Sequence, residues 1–434
     1  MFGVMLCLLG LAGLSPVPYL ADAIGATEPA IKLLISILVG YPLAIIYHKY
    51  VRQHVQYRNL YFILTGLDMA YYNFGISMYH NAIPALVIYL STKFLGPGNI
   101  NAIVTFVFNM TYLLAGYVVT ESEDYDITWT MPHCVLTLKL IALSFDLWDG
   151  QKKLKGEELS ANNKQTALES SPTFMELIGF VYFPACFLVG PIFSFRRYKD
   201  FITDKFPLNT DAAVYEAQAL KRLTQGFIYL VAYQVGASCI RFGLSYNGTE
   251  SKDGSVVSKW DGCNNIKLLR FESATRFQHY IDSFNCNTNH FAAEYVYKRL
   301  RFLGNRNLSQ LITLMFLALW HGTQSGYYMT FINEFLIMVM EKELESILIK
   351  TEFYEKMWNN TAIKYLLYII LKTYTIVFMG WSLAPFDVKS FSKWWTVYSS
   401  LYFSGFLLFV PWSFVYKPQL IKALKAAGIR PKTQ

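Results

Sequence analysis

A histidine lies inside the apolar stretch that runs from Leu311 to Phe335, LITLMFLALWHGTQSGYYMTFINEF. His321 is preceded by Trp320 and followed by Gly322. An ionisable side chain at membrane depth usually faces a cavity or a partner, so its default interpretation is functional. Burial favours the neutral imidazole, which is the form that a general base requires. His321 is therefore the first candidate catalytic residue, and the alternative is a neutral histidine that only hydrogen-bonds between helices.

Two polar segments could supply further groups. The segment FNCNTNH contains Asn285, Asn287 and Asn289, and His133 follows Pro132 at the start of an apolar run. Amides can donate to a developing oxyanion or orient a hydroxyl, but asparagine is also favoured at helix caps and turns. The residues alone favour a cap for FNCNTNH. For His133 they favour a structural or substrate-lining role over a catalytic one.

The composition is that of a membrane protein. Of 434 residues, 54% are hydrophobic and only 16% are charged, whereas soluble domains carry about a quarter charged residues. The net charge of +8 comes from 38 basic and 30 acidic residues and is gathered in loops. It therefore indicates cytoplasmic loops and anionic lipids or substrates rather than nucleic acid. The six cysteines form no CxxC pair and no metal-ligand spacing, so neither a metal nor a cofactor is predicted.

Apolar runs recur along the whole chain, and a full helical crossing needs roughly 20 residues. They predict about ten or eleven crossings, with the shorter runs tilted, buried in protein or re-entrant. Gly190-Pro191 interrupts one run, which predicts a broken element covered by other helices. The predicted fold is thus an all-α, polytopic membrane protein. The runs lie at 2–20, 31–47, 60–78, 82–95, 101–120, 132–147, 175–195, 224–241, 308–320, 326–341, 362–385 and 395–415.

Charge in the loops predicts the orientation of the chain. Basic residues place 48–58 and 151–170 on the cytoplasmic side, and acidic residues place 121–126 on the opposite side. After 224–241 the alternation breaks, because a polar stretch leads to the basic segment at 298–306 with no apolar span between them. Either this run does not cross, or a crossing is missing.

The sequence has no GxSxG, HExxH, P-loop or nucleotide-type glycine motif in a strand–helix setting. The absence of these motifs argues against a serine hydrolase, a zinc peptidase and a nucleotide hydrolase. A transporter with a buried histidine is a rival interpretation, which a ladder of charged groups on the spans would favour. The clearest buried polar candidates are His321, the His133 region and Asp68, which do not form such a ladder.

Several motifs together resemble the membrane-bound O-acyltransferase (MBOAT) superfamily. They are WHGTQSGYY, FNCNTNHFAAEYVYKRLRFLGNR, YDITWTMPHCVLTLKLIAL and KWDGCNN. Within the superfamily the chain is most similar to enzymes that acylate lysophosphatidylcholine, and the similarity extends over nearly the whole chain. The resemblance implies one MBOAT membrane domain over 1–434, in the endoplasmic reticulum membrane. It also implies that acyl-CoA donates a fatty chain, often polyunsaturated, to the free glycerol hydroxyl of a lysophospholipid.

The resemblance assigns roles to individual residues. The family's catalytic histidine maps to His321 by its W-H-G context, and its asparagine maps to Asn285 in an aromatic-Asn context. His133 and Trp320 become candidates for contact with substrate.

The resemblance also suggests a site for the phosphates of CoA. Lys298, Arg299 and Arg301 are the candidates, although cytoplasmic placement of a basic loop explains these three residues equally well.

The chain departs from the family in one place. Between 224–241 and KWDGCNN the family carries more hydrophobic sequence, so the chain is apparently shortened between about 241 and 259. Three alternatives stay open: an MBOAT enzyme with a sterol, diacylglycerol or protein acceptor, a membrane transporter, and a scaffold without catalytic activity.

Overall fold

The computed structural model describes residues 15–120, 127–203, 205, 249–252, 255–258, 262–349, 351 and 359–427. These residues form two compact units that meet in the sequence between Asn265 and Ile266, here called the N-terminal and C-terminal units. A single MBOAT domain over 1–434 stays a prediction. The run 224–241 lies outside the described residues, and so does the predicted shortening at 241–259 apart from a short hairpin.

The described part of the N-terminal unit contains nine α-helices and one antiparallel hairpin, in which Thr249 pairs with Ser258. A π-helical turn, Tyr47–Val51, continues the second helix, and a 3-10 turn, Gly75–Met78, joins the third to the fourth. The elements are α1 Val17–Ile24, α2 Glu28–Ile46, α3 Val55–Phe74, α4 Tyr79–Leu95, α5 Asn99–Thr120, α6 Thr130–Leu154, α7 Ala161–Thr166, α8 Phe174–Val181, α9 Phe195–Ile202, β1 Thr249–Lys252 and β2 Ser255–Ser258.

Helix α6 lies at the centre of this unit. It packs against α4 and α5, and 78% of its most apolar window is buried. The sequence predicted a run of only 132–147 here. The helix continues to Leu154, because its last turn carries Lys152 and Lys153, cations that suit a helix C-terminus.

The predicted break in the run 175–195 is confirmed. Helix α8 ends at Val181, and an irregular segment with a cis Gly190–Pro191 bond follows before α9 begins. Most of the segment is buried in the hydrophobic core. A Cβ added to Gly66 would lie 1.7 Å from the carbonyl oxygen of Tyr182, so the backbone of α3 packs directly against it. Irregular backbone is thus covered by protein, as a membrane environment requires.

The described part of the C-terminal unit contains nine more α-helices. Between the third and fourth of these the chain is helical but not α-helical, with a π-helical segment, Ala292–Val296, followed by a 3-10 segment, Tyr297–Leu303. The helices are α10 Leu268–Glu272, α11 Phe277–Ser283, α12 Cys286–Phe291, α13 Arg306–His321, α14 Ser325–Leu348, α15 Thr361–Val388, α16 Phe391–Ser400, α17 Ser404–Phe409 and α18 Lys417–Ala426.

The three long helices of this unit, α13, α14 and α15, pack in chain order. Helix α13 begins where the Asn305 side chain accepts the backbone N–H groups of Asn307 and Leu308, the usual role of an N-cap. The buried Tyr398 hydroxyl accepts a hydrogen bond from Asn333 and donates one to the carbonyl of Trp381. This pair of bonds connects α14, α15 and α16 through their apolar core.

Four helices in the described ranges are long and apolar enough to cross a membrane, and the bent pair formed by α16 with the segment Ser404–Ala426 would be a fifth. The four are Glu28–Val51, Asn99–Thr120, Thr130–Leu154 and Thr361–Val388. The chain is therefore an all-helical, multi-pass membrane protein. Helices α4 and α13 have 17 and 16 residues, fewer than a full crossing needs. The predicted total of ten or eleven crossings stays a prediction.

Candidate active site

The backbone at Gly322 fixes the position of His321. Helix α13 ends at His321 because Gly322 has φ 141° and ψ −168°, a conformation that is essentially restricted to glycine. The N–H of Gly322 still bonds to the carbonyls of Ala318 and Leu319. The imidazole is therefore held at the last position of a rigid helix, where the chain turns sharply away.

Four aromatic rings surround the imidazole. Its centroid is 4.6 Å from that of Trp320 and 5.0 Å from that of Phe386, both edge-on. The rings of Tyr327 and Phe331 lie at 5.8 and 5.7 Å, and Phe331 is stacked. The imidazole is half-buried, and neither ring nitrogen hydrogen-bonds to another described residue. The alternative role, a hydrogen bond between helices, is therefore not seen among the described residues. Both nitrogens are available for hydrogen bonds to a substrate.

Asn285 occupies the cap position of α12 without capping it. Its backbone is left-handed, at φ 49° and ψ 41°, and its side chain makes no cap hydrogen bond. The side-chain oxygen instead accepts a hydrogen bond from the Thr288 hydroxyl at 2.9 Å. Left-handed backbone is uncommon outside glycine, although asparagine tolerates it better than most residues. This geometry weakens the cap interpretation that the sequence favoured.

Asn289 has a structural role. Its side-chain NH2 group donates to the carbonyls of Ile281 at 2.7 Å and Phe284 at 2.9 Å. These bonds satisfy two carbonyls at the end of α11, which α-helical hydrogen bonds leave open. They therefore hold the turn in which Asn285 adopts its left-handed conformation.

Asn285 and His321 lie in the same unit on connected segments. The ring of Phe291, at the end of α12, is stacked with that of Phe316 in α13, with ring centroids 6.2 Å apart. The π-helical segment after α12 also packs against α13. No hydrogen bond joins the two side chains directly. The structure thus connects the asparagine turn to the histidine helix but does not bring the two groups into contact.

The three basic residues predicted to bind phosphate differ in their surroundings. Lys298 forms an ion pair with the buried carboxylate of Glu294, one helical turn earlier. This ion pair weakens the prediction that Lys298 binds phosphate. Arg299 is half-buried, and Arg301 is exposed. Arg301 lines a cavity of about 590 Å³ with Tyr297, Gly304, Asn305, Arg306, Ser309 and Lys342. Sequence reasoning did not assign Arg306 and Lys342 to the site.

The cavity has a surplus of positive charge. Arg301, Arg306 and Lys342 form no ion pair with a described carboxylate. The acids on the neighbouring stretches of chain have other partners. Glu294 pairs with Lys298, Glu341 accepts the backbone N–H of Phe277, Glu343 pairs with Lys417, and Glu345 pairs with Arg276. Three cations around one open cavity suit phosphate groups.

His133 is fully buried in the N-terminal unit. Its Nδ1 lies 3.0 Å from the side-chain oxygen of Asn81, and its exposed fraction is 0%. Such burial favours the structural role over contact with substrate. In the C-terminal unit, His279 accepts the N–H of Thr275, and burial, with a smaller contribution from Arg276, lowers its pKa.

Sequence reasoning missed Lys139, which lies in the middle of α6 and is 2% exposed. Its ammonium donates to the carbonyl of Phe180 at 2.7 Å and lies 4.2 and 4.8 Å from the rings of Phe180 and Phe193. Its contacts anchor the broken segment to α6. A lone lysine inside the apolar run 132–147 was the signal that could have identified it.

Asp68, a buried polar candidate from the sequence, lines a largely apolar cavity of about 390 Å³ between α2 and α3. Among the described residues no group of three or more His, Cys, Asp or Glu side chains could hold a metal ion.

The sequence profile of the membrane-bound O-acyltransferase family matches residues 114–238 and 235–384, which together cover more than half of the chain. The chain belongs to this family. Among similar proteins, lysophospholipid acyltransferase 5 of Drosophila melanogaster is 38% identical, over 92% of this chain and 88% of its own length. The mouse protein of the same name is 38% identical over 93% and 92%, and the human protein is 36% identical over 93% and 92%.

The comparisons bear on the length of this family member. Its alignment with the mouse protein extends over 458 positions, more than its own 434 residues, so the relative has residues with no counterpart here. The two profile matches meet at 235–238, next to the shortening predicted at 241–259. The position of that shortening stays a prediction.

We expect Gly322→Ala to displace the end of α13. A side chain at this φ and ψ costs about 1–3 kcal/mol, so the thermal unfolding midpoint of the purified protein should fall. Gly380→Ala is the matched control, because an added Cβ there meets no atom within 4 Å. Equal midpoints for the two variants would contradict a glycine requirement at position 322.

Proposed function

We propose that this O-acyltransferase is a lysophospholipid acyltransferase of the endoplasmic reticulum. It transfers a fatty acyl chain from acyl-CoA to the free glycerol hydroxyl of lysophosphatidylcholine and related lysophospholipids. The observation that carries the proposal is the name shared by the fly, mouse and human relatives, which align with more than nine-tenths of this chain. Acyl-CoA is a co-substrate, and no other cofactor is proposed.

His321 acts as the general base in this proposal. Its imidazole takes the proton of the lysophospholipid hydroxyl, and the hydroxyl oxygen attacks the thioester carbonyl of acyl-CoA. The new ester bond forms as the carbon–sulfur bond breaks, and the imidazolium returns the proton to the leaving thiolate. The four aromatic rings around the imidazole support this role, because they hold it in an apolar setting while neither nitrogen has a hydrogen-bond partner among the described residues.

Asn285 assists this step by binding an oxygen atom of one substrate. Its side-chain oxygen accepts a hydrogen bond from Thr288, which fixes the orientation of the amide and hence of its NH2 group. That group could orient the acceptor hydroxyl or stabilise the oxyanion of the tetrahedral intermediate. Its left-handed backbone supports a functional role, since unusual backbone conformations cluster at active sites.

The donor's phosphates bind in the cavity lined by Arg301, Arg306 and Lys342. The support is its size of about 590 Å³ and the lack of an ion pair between these three cations and any described carboxylate. Arg301 belongs to the 3-10 segment that packs on α13, the helix that ends in His321. Lys298 is not assigned to the donor, because Glu294 already binds it.

We expect His321→Gln to abolish acyl transfer, because the amide cannot accept the hydroxyl proton. The measurement is transfer of a labelled acyl group from acyl-CoA to lysophosphatidylcholine by the purified protein. Diacylglycerol, cholesterol and a serine peptide, tested in parallel, distinguish other acceptor classes. His290→Gln, an exposed position in α12, is the control and should retain activity. Transfer by His321→Gln at the control's rate would exclude His321 as the base.

We expect Asn285→Gly to reduce kcat at least tenfold without lowering the unfolding midpoint. Glycine adopts the left-handed backbone freely, so this variant removes the amide while keeping the turn. Thr288→Val, which removes the hydrogen bond from the Thr288 hydroxyl to the Asn285 side chain, should give a smaller loss. Asn287→Ala is the comparison and should retain most of the activity. If Asn287→Ala lost more activity than Asn285→Gly, the wrong amide would have been chosen.

We expect the double variant Arg301→Gln and Arg306→Gln to raise the KM for acyl-CoA about tenfold or more. Two lost charge-assisted hydrogen bonds justify that size, and kcat should change little because the reacting atoms are untouched. Arg270→Gln removes a surface cation that is paired with Asp282, so it controls for net charge. An unchanged KM in the double variant would place the phosphates elsewhere.

A further inference from the structure

Five side-chain polar atoms on the neighbouring helices α4, α5 and α6 are fully buried and have no hydrogen-bond partner among the described residues. Each belongs to a residue whose exposed fraction is 0%. Three helices that pack against one another thus carry five buried polar groups without a partner among the described residues. They are Nδ2 of Asn81, Oγ1 of Thr105, Oδ1 of Asn109, Nε2 of His133 and Oγ1 of Thr137.

Contacts between the helices place these atoms in one region. Asn81 of α4 and His133 of α6 are hydrogen-bonded at 3.0 Å. The ring of Tyr112 in α5 lies 5.3 Å from that of His133. Along α5, Asn109 and Thr105 follow from Tyr112 at helical spacing, and along α6, Thr137 lies one turn from His133. Residues three or four apart share a helix face, so polar faces of α5 and α6 meet.

Aromatic groups close one end of this region. His80 stacks on Trp129, with centroids 3.8 Å apart and an interplanar angle of 11°. Its Nδ1 lies 2.8 Å from the hydroxyl of Tyr112. The ring of Trp129 also packs edge-on against His133, at 5.5 Å. The unsatisfied atoms therefore lie behind a layer of aromatic rings.

The chemistry of the five atoms defines what could satisfy them. None belongs to a charged side chain, so they do not select an ion. The amide nitrogen of Asn81 donates, the amide oxygen of Asn109 accepts, and the two threonine hydroxyls can do either. A suitable ligand is thus small and neutral, and it both donates and accepts hydrogen bonds.

We propose that the interface of α4, α5 and α6 binds internal water molecules that bridge these five atoms. Buried water typically makes two to four hydrogen bonds to polar groups that lack protein partners. A bridging water is nearly as favourable as a direct hydrogen bond. This site is independent of the proposed acyl transfer. It stabilises the packing of three helices and gives His133 a hydrogen-bonded environment inside the membrane.

The sign of a stability change tests the proposal. Thr137→Val and Thr105→Val replace a hydroxyl with a methyl group of similar shape. If water binds these hydroxyls, each variant should lower the unfolding midpoint of the full chain by at least about 2 °C. If the region is dry, removing an unsatisfied hydroxyl relieves its desolvation penalty and leaves the midpoint unchanged or higher. Thr313→Val controls for the substitution itself, since that buried hydroxyl bonds to the carbonyl of Ser309.

A direct observation gives an independent test. A cryo-electron microscopy map of the full chain in lipid nanodiscs, at a resolution that reveals ordered water, should contain density within about 3 Å of Nε2 of His133. Five side chains that pair with one another in the map, with no density between them, would overturn the proposal. So would a midpoint unchanged or raised in both threonine variants.

Discussion

The glycine that follows His321 determines where the imidazole can lie. At φ 141° and ψ −168° the chain leaves α13 in a direction that a residue with a Cβ does not readily take. The imidazole is therefore the last side chain of a rigid helix rather than part of a loop. Catalytic groups on rigid elements keep their geometry more accurately than groups on loops. The W-H-G sequence thus combines an ionisable side chain, His321, with the glycine backbone that positions it.

The irregular helix before α13 serves a related purpose. Between Ala292 and Leu303 the chain changes from π-helical to 3-10 geometry, and such segments often mark functional positions. The change in winding separates Lys298, which pairs with Glu294, from Arg301, which lines the basic cavity. The same short segment therefore contains one cation in an ion pair within the protein and another that lines an open cavity.

The apolar runs predicted where the helices lie, but they predicted less accurately where each helix ends. The run 326–341 belongs to a helix that continues to Leu348, since charged residues are tolerated where the helix leaves the apolar core. The pairing of Lys298 with Glu294 could have been predicted from their spacing of four residues. The rings around His321 could not, because Phe386 lies 65 positions later and reaches the site only through the packing of α15.

Lys139 shows how a charged side chain is accommodated in the middle of a mostly apolar membrane helix. A cation in the middle of a crossing is costly unless protein groups replace its water. Here a backbone carbonyl and two aromatic faces do so. That carbonyl belongs to Phe180, near the end of α8, whose irregular continuation needs an anchor. The lysine and the broken helix therefore stabilise each other through these contacts.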